Sequence, residues 1–295
     1  MTLYGIPPAA FRRAMAPDDS REHARRIADD ALSWWWENRG TAGDLDIAVG
    51  TLAAVALAAP SRPDGPDYGP LLIPLGDDEA VDAQRAIWNS WWAHRPALAA
   101  VASPLHQWLE SPGANDIRGL GDYVRILVRA GLLEYASDPV RCQDEDLFGL
   151  LVQRMRARST REHHGQFFTP AGAADLTGDV LMSPPPRTGA RLIEPCAGTG
   201  TMARAAAATL RAQGVDPAHY SWWLNDIDEL YVACSAVNSA LFRLGPHVTV
   251  SRGDAFGDVR AIEEQAQRHA EQAVCEQQQR PVLYRTHMRS PRWPA

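Results

Sequence analysis

The stretch Leu192-Ile193-Glu194-Pro195-Cys196-Ala197-Gly198-Thr199-Gly200 decides the fold of this chain. The apolar run 189–194 predicts a strand, and the alanine-rich run 199–213 predicts a helix. The glycines between them let the backbone approach a ligand closely, and the start of the helix offers free N–H groups. A carboxylate at a strand end, followed by proline, a Gly-Thr-Gly turn and a helix, is much more specific than a lone glycine turn.

The same alternation continues along the chain. Residues 221–225 predict a second strand, residues 228–244 a second helix that ends at Gly245-Pro246, and residues 247–251 a third strand. Strands that alternate with helices at this spacing are typical of a parallel, doubly wound sheet.

Acidic residues follow the second and third strands. Asp226 is placed where a carboxylate accepts hydrogen bonds from ribose hydroxyls, whereas Asp228 is predicted to cap the following helix. The plainer alternative is that either acid serves only as a cap. After the third strand, Asp254 is placed to accept an adenine amino group and Phe256 to cover the ring, although Gly-Asp after a strand is by itself an ordinary turn.

Upstream lies the stretch Gly165-Gln166-Phe167-Phe168-Thr169-Pro170. Thr169 is predicted to be the N-cap of a helix that runs to about Met182, with Pro170 at its first position. A capped helix with a hydrophobic staple is the alternative that needs no ligand.

Taken in order, these four motifs resemble the modification (methyltransferase) subunit of type I restriction systems and related N6-adenine DNA methyltransferases. The resemblance covers residues 165–256 and is looser before them. Cys196-Ala197 stands where the family usually has Ala-Cys, which leaves both glycines in register. The resemblance implies a Rossmann-like sheet that binds S-adenosylmethionine (SAM).

The resemblance also implies a role for each motif residue. Glu194, beside Pro195, would lie near the SAM amino group, and Gly198 and Gly200 would give backbone access to the cofactor. The methionine end of SAM would be lined by Phe167, Thr169 and Pro170.

The adenosine end of SAM would meet the other two motifs. Asp226 would hold the ribose and Ile227 would lie against the adenine ring. Asp254 would meet the adenine amino group, with Phe256 beside it.

One element of these enzymes is missing from the sequence. They hold the flipped adenine with an Asn/Asp/Ser-Pro-Pro-aromatic motif, and no such motif follows Asp254. Residues 259–279 predict a polar helix and residues 281–285 one more short strand. Ser290-Pro291-Arg292-Trp293 comes nearest to the motif, but arginine replaces the second proline, and a frayed tail is the alternative.

The first part of the chain predicts helices. Apolar spacing predicts an all-α domain over residues 1–160, before an incomplete, truncated Rossmann-like α/β domain over residues 161–295. The predicted helices are 22–38, 46–59, 78–94, 96–110, 119–135 and 144–158. Their tryptophans suit a core or an interface better than stacking on unpaired bases.

The net charge and the distribution of basic residues limit the kinds of partner that we expect this chain to bind. A net charge of −7 argues against a uniformly basic nucleic-acid surface. A local basic cluster can still contact DNA phosphates, although a solvated helix face explains it equally well. This cluster consists of Arg154, Arg156, Arg158 and Arg161. The resemblance adds a specificity subunit or a second copy of the chain as partners.

The remaining features predict an ordinary cytoplasmic chain. No apolar run is long enough to cross a membrane, and the first residues lack a secretory signal. Four widely spaced cysteines form no CxxC pair and predict reduced thiols. His163 and His164 have no companion ligand at metal spacing. Three functions stay open: a DNA methyltransferase, a SAM-binding regulator without transferase activity, and a helical binding module whose second domain is only structural.

Overall fold

The computed structural model describes residues 18–40, 44–60, 65–156 and 168–279. Some of the residues singled out in the sequence therefore lie outside the described residues. They are Phe167, Arg158, Arg161, the adjacent His163 and His164, and the stretch Ser290-Pro291-Arg292-Trp293. Within the described ranges the chain is mostly helical and contains one three-stranded parallel sheet. No helix in these ranges is both long and apolar enough to cross a lipid bilayer.

Ten α-helices form the first part of the described chain. They are α1 (Ser20–Asn38), α2 (Leu45–Leu57), α3 (Gly69–Leu72), α4 (Asp77–His94), α5 (Pro96–Val101), α6 (Ala114–Ile117), α7 (Leu120–Arg129), α8 (Leu132–Ser137), α9 (Arg141–Asp144) and α10 (Leu147–Met155). The α/β part that follows comprises α11 (Ala171–Leu181), β1 (Arg191–Glu194), α12 (Thr201–Ala212), β2 (Ser221–Asp226), α13 (Glu229–Leu241), β3 (Val248–Arg252) and α14 (Val259–Gln279).

Several predicted helices are shorter than the sequence indicates. The predicted helix 96–110 ends at Val101 and continues as two 3₁₀ turns, because Ser103 precedes a proline and is disfavoured in the α conformation. The predicted helix 119–135 is two helices, since Gly131 adopts a φ of 93° between them. The helix predicted from residue 144 starts at Leu147, where Asp146 serves as its N-cap.

The cap of α11 also differs from the prediction. Pro170, not Thr169, is the N-cap, and the carbonyl of Pro170 accepts hydrogen bonds from the N–H groups of Ala173 and Ala174. No side chain caps this end, so the Thr169 prediction was wrong by one position. The other end matches, since the helix stops at Leu181 with Met182 as its C-cap.

The three predicted strands form the sheet in the order β1-β2-β3. All pairings are parallel, with Ile193 opposite Trp223 and Trp223 opposite Thr249. Among the described strands β1 pairs only with β2, so β1 lies at one edge of the sheet and β3 at the other. This arrangement places the carboxyl ends of all three strands along the same side.

The two faces of the sheet are covered differently. Trp222 and Leu224 point into the main hydrophobic core, whereas Trp223 points to the opposite face, as alternation along a strand requires. Helix α14 crosses that opposite face, where Glu263 forms an ion pair with Arg191 at 2.6 Å and the Arg191 guanidinium stacks on the Trp223 ring.

Tryptophans of the helical part serve the core, as predicted. Trp35, Trp88 and Trp91 are buried, and Trp34 stacks on the buried ring of Tyr123. Trp36 is the exception, with 41% of its surface exposed. Core residues of the first helices and of the α/β part belong to one continuous cluster, while the division into two domains stays a prediction.

Candidate cofactor-binding site

A buried amide joins the carboxyl ends of the three strands. The Nδ2 group of Asn225 donates hydrogen bonds to the carbonyls of Pro195 at 3.0 Å and Gly253 at 2.9 Å. Its Oδ1 accepts from the Ser251 hydroxyl at 2.8 Å, which in turn accepts from the Trp223 indole. Asn225 thereby fixes the loop after β1 and the loop after β3 against the end of β2.

Both glycines of the Gly-Thr-Gly turn adopt a backbone conformation that favours glycine. Gly198 and Gly200 have φ values of 56° and 102°, in the left-handed region where a side chain is strained. The N–H of Gly198 donates to Oδ2 of Asp226 at 2.8 Å, and the N–H of Ala197 donates to the Asn225 carbonyl at 2.7 Å. The turn is therefore held by residues at the end of the neighbouring strand.

Asp226 and Asp228 have different hydrogen-bond partners, and only Asp228 caps the following helix. Asp228 accepts hydrogen bonds from the N–H groups of Leu230 and Tyr231, so its predicted capping role is confirmed. Asp226 accepts from Gly198 through one oxygen and from the Asp228 N–H through the other, at 2.9 Å. Each of these oxygens keeps a further lone pair, so ribose binding by Asp226 stays a prediction.

Asp228 also binds a member of the predicted basic cluster. Arg156 makes two hydrogen bonds to the Asp228 carboxylate, at 2.7 and 3.0 Å, and its guanidinium lies 4.4 Å from the centre of the Tyr231 ring. Phe168 packs edge-on against the same ring at 5.5 Å. Because Arg156 is held this way, the structure favours a positioning role for it over a phosphate contact.

The other described member of the cluster is also paired. Arg154 forms an ion pair with Asp29 on α1, and both side chains are largely exposed. Surface pairs of this kind contribute little to stability, and a DNA contact by Arg154 stays a prediction.

The charges of three carboxylates act on the thiol of Cys196. Burial raises the pKa of Cys196, and the charges of Asp226, Glu194 and Asp254 act in the same direction. Burial also raises the pKa of Glu194, and the neighbouring Asp226 charge adds to this effect. The edge of the sheet is thus a region of negative potential that favours a cationic group.

Apolar side chains stand exposed beside these carboxylates. Ile227 is 64% exposed and Phe256 is 97% exposed, while the Asp254 carboxylate accepts the Phe256 N–H at 3.0 Å. Thr169 and Pro170 are exposed as well. Among the predicted site residues that are described, those that follow the three strands lie along one edge of the sheet. Phe168 of the upstream stretch contacts Tyr231 on α13, but none of the described contacts joins Thr169 or Pro170 to that edge.

Sequence reasoning missed Asp146, which ties the helical part to the Gly-Thr-Gly turn. Its Oδ2 accepts hydrogen bonds from the hydroxyls of Thr199 and Thr201, and its Oδ1 accepts from the Asn238 amide at 2.8 Å and the Gly149 N–H at 2.9 Å. An aspartate just before an apolar helix signals an N-cap. Nothing local signals its contacts with α12 and α13.

Comparisons with known proteins assign no family to this chain. No family model matches the chain, and no curated protein matches it as a relative. Within the described ranges, no group of three or more His, Cys, Asp or Glu side chains could hold a metal ion.

Proposed function

We propose that the carboxyl edge of the sheet binds SAM. The observation that carries the proposal is the Asn225 network, which brings the loops after β1 and β3 to the end of β2, beside the Gly-Thr-Gly turn and the Asp226 carboxylate. Ligands of doubly wound sheets bind at this edge, beyond the carboxyl ends of the strands.

The residues around the turn suit the parts of SAM. Ile227 directly follows Asp226 in the sequence, Phe256 lies two residues after Asp254, and both side chains are exposed. An adenine ring bound against them would remove their apolar surface from water. Asp226 would bind the ribose hydroxyls and Asp254 the adenine amino group.

Charge supports a cationic ligand rather than a phosphate-bearing one. Glu194, Asp226 and Asp254 lie close enough to act together on Cys196, and this negative edge would repel a dinucleotide phosphate. SAM carries a sulfonium and an ammonium group, which are attracted to such an edge. Glu194 would receive the ammonium group.

Transfer of the SAM methyl to the N6 amino group of adenine in DNA is the finer proposal. It rests on the order of the four motifs over residues 165–256, which resembles type I modification subunits and related enzymes. Bound SAM supplies an electrophilic methyl group, and the part of this chain is to hold that group in line with the incoming nitrogen. A specificity subunit would then supply recognition of the DNA sequence.

A SAM-binding regulator or partner subunit without transferase activity is the second candidate. The observation that favours it is the segment after β3, where a short turn leads directly into the polar helix Val259–Gln279. The segment from Asp254 to Gln279 contains no Asn-Pro-Pro-aromatic motif to hold a flipped adenine.

Calorimetric titration of the whole chain with SAM tests the binding proposal. We expect saturable binding that weakens about tenfold in Phe256→Ala, since the ring loses its stacking partner. Phe256 is chosen because it is almost fully exposed, whereas Asp226 also holds the Gly198 turn. The matched control is Leu71→Ala on α3, which is 46% exposed and distant in sequence from the site.

Binding and transfer are tested separately. If folded protein takes up no SAM, or if Phe256→Ala and Leu71→Ala bind it alike, the proposed site is wrong. Transfer of a tritiated methyl group to mixed-sequence DNA by the purified chain, with and without a specificity subunit, decides between the two candidates. Incorporation supports the transferase, and its absence in a SAM-binding protein supports the regulator.

A further inference from the structure

Arg156 contacts the candidate cofactor site from the helical part of the molecule. It is the C-cap of α10, and its guanidinium binds the connection between β2 and α13 through Asp228. The same connection carries the two residues proposed to meet the ribose and the adenine ring of SAM, Asp226 and Ile227. An arginine of the helical part is thus bound to the segment on which the adenosine half of the site depends.

The ion pair between Arg156 and Asp228 is largely withdrawn from water and has two contact points. The side chains are 14% and 19% exposed, and Nη1 donates to Oδ2 at 2.7 Å while Nη2 donates to Oδ1 at 3.0 Å. Such two-point pairs fix orientation as well as distance. Capping of α13 involves only Oδ1, which accepts from the N–H groups of Leu230 and Tyr231. The pair therefore holds Asp228 more firmly than helix capping alone requires.

Asp228 in turn orients the carboxylate of Asp226. The N–H of Asp228 donates to Oδ1 of Asp226 at 2.9 Å, and the N–H of Gly198 donates to Oδ2 at 2.8 Å. Each oxygen is thus placed by a backbone donor, and one of these donors belongs to the residue that Arg156 binds. A carboxylate that receives two neighbouring hydroxyls must keep both oxygens within about 0.5 Å of the productive position. A shift of Asp228 would therefore turn Asp226 away from that position.

We propose that Arg156 is a positioning residue that makes the cofactor site selective for a ribonucleoside ligand. Through Asp228 it sets the orientation in which Asp226 accepts hydrogen bonds from both ribose hydroxyls. The inference rests on the proposed SAM site and adds to it a preference for a ligand that has a 2′-hydroxyl over one that lacks it. Without Arg156 the site would still bind the adenine ring and the methionine end, but it would distinguish poorly between ribose and 2′-deoxyribose.

Calorimetric titration of the full chain with SAM and with its 2′-deoxy analogue tests this proposal. We expect the parent to bind SAM about tenfold more tightly than the analogue, as loss of a hydrogen bond to a charged acceptor implies. In Arg156→Met this preference should fall to about twofold or less. The ratio of the two affinities is the measured quantity because both ligands meet the same folded fraction of protein, so a loss of stability alone cancels from it.

Further variants show whether the effect passes through Asp228. Asp228→Asn keeps a good N-cap for α13 but removes the charged acceptor of the guanidinium, so it should reduce the preference as Arg156→Met does. The double variant should reduce it no further, because both changes break the same connection. Arg156→Lys keeps the charge without the two-point geometry and should give an intermediate preference. The matched control Arg154→Met, which removes a surface ion pair with Asp29 from the same helix, should keep the preference of the parent.

Failure of this proposal and failure of the SAM site give different results. If the parent prefers SAM to its 2′-deoxy analogue and Arg156→Met and Asp228→Asn keep that preference, the positioning role is refuted and the SAM site stands. If the parent binds the two ligands equally, Asp226 does not hold the ribose, and the positioning role is refuted as well. If the folded parent takes up neither ligand, the SAM proposal is itself wrong, and this inference falls with it.

Discussion

A few buried polar residues form the hydrogen bonds that join distant segments of this molecule. Asn225 joins three strand ends, and Asp146 takes four hydrogen bonds from three different elements. His23 on α1 is fully buried, with its ring edge-on to Tyr135 of α8 at 5.8 Å and its Nδ1 3.3 Å from the Arg141 guanidinium. Each such residue is costly to leave unpaired or to charge.

His23 makes the stability depend on pH. Burial lowers its pKa from 6.5 to about 4, and the charges of Arg141 and Arg26 act in the same direction. Since the folded pKa lies below the unfolded one, this contribution is fully present above pH 6.5 and is lost as the pH falls towards 4. The loss amounts to ~3 kcal/mol at most.

Urea unfolding between pH 7 and pH 4.5 measures this effect. The variant His23→Phe removes the titrating ring, so its free energy of unfolding should fall less steeply over that range than that of the parent. Carboxylates titrate in both proteins and cancel in the difference. Parallel pH profiles would show that His23 does not carry the dependence.

The sequence predicts the role of a residue when its partners lie within a few positions along the chain. The Asp228 cap follows from its place just before a helix, and the structure confirms it. The contacts of Asp146 with Thr199 and Asn238 span 53 and 92 residues, so no local pattern reveals them. Likewise, Arg156 resembles a free member of a basic cluster until the fold brings it to Asp228.

At the scale of elements, hydrophobic periodicity located the strands and long helices but missed interruptions. The strands and α14 follow the predicted bounds to within about two residues, because apolar periodicity and polar flanks mark them. The break between α7 and α8 was missed, since an isolated glycine within an apolar pattern does not announce a left-handed φ. Tertiary contacts select that conformation.

A substitution at Gly131 tests whether this residue causes the break between α7 and α8. A Cβ at Gly131 would lie 2.6 Å from Nε2 of His23, and the φ of 93° disfavours any side chain. We expect Gly131→Ala to lower the free energy of unfolding by ~2 kcal/mol, from left-handed strain and displacement of the imidazole. Thermal and urea unfolding measure the change.

Gly172 is the matched control for this substitution. It lies in the first turn of α11, and a Cβ there would meet nothing within 4 Å. Gly172→Ala should therefore raise stability by ~0.5 kcal/mol, because alanine loses less backbone entropy in a helix. Equal effects of the two substitutions would contradict the assignment of a special conformation to Gly131.

At the scale of the whole molecule, the helical part supports the α/β part directly. Helix α10 places Asp146 against the Gly-Thr-Gly turn, and α5 packs against α13 and α14. The sequence predicted both parts but not how they meet, because such contacts join segments far apart along the chain. The motifs predict a cofactor site whose chemistry stays a prediction, and no motif predicts the contacts that hold the turn in place.

Asp146→Ala tests this support. It removes one of the two acceptors of the buried Asn238 amide and the acceptor of two threonine hydroxyls, so we expect a loss of ~3 kcal/mol in the free energy of unfolding. Because the network joins both parts, transitions followed by circular dichroism and by tryptophan fluorescence should shift together. Asp78→Ala, at an exposed position of α4, should change stability by less than ~0.5 kcal/mol. A shift in only one signal would show that the two parts unfold independently.

Within the described strands, the place of β1 at the edge of the sheet has a consequence for how the protein behaves at high concentration. An edge strand with open backbone groups is a template on which other chains aggregate. This strand has only four residues, and charged side chains stand at both of its ends, Arg191 and Glu194. Brevity and charge are the usual protections against such stacking, so the exposed Ile193 lies on a strand poorly suited to seeding fibrils.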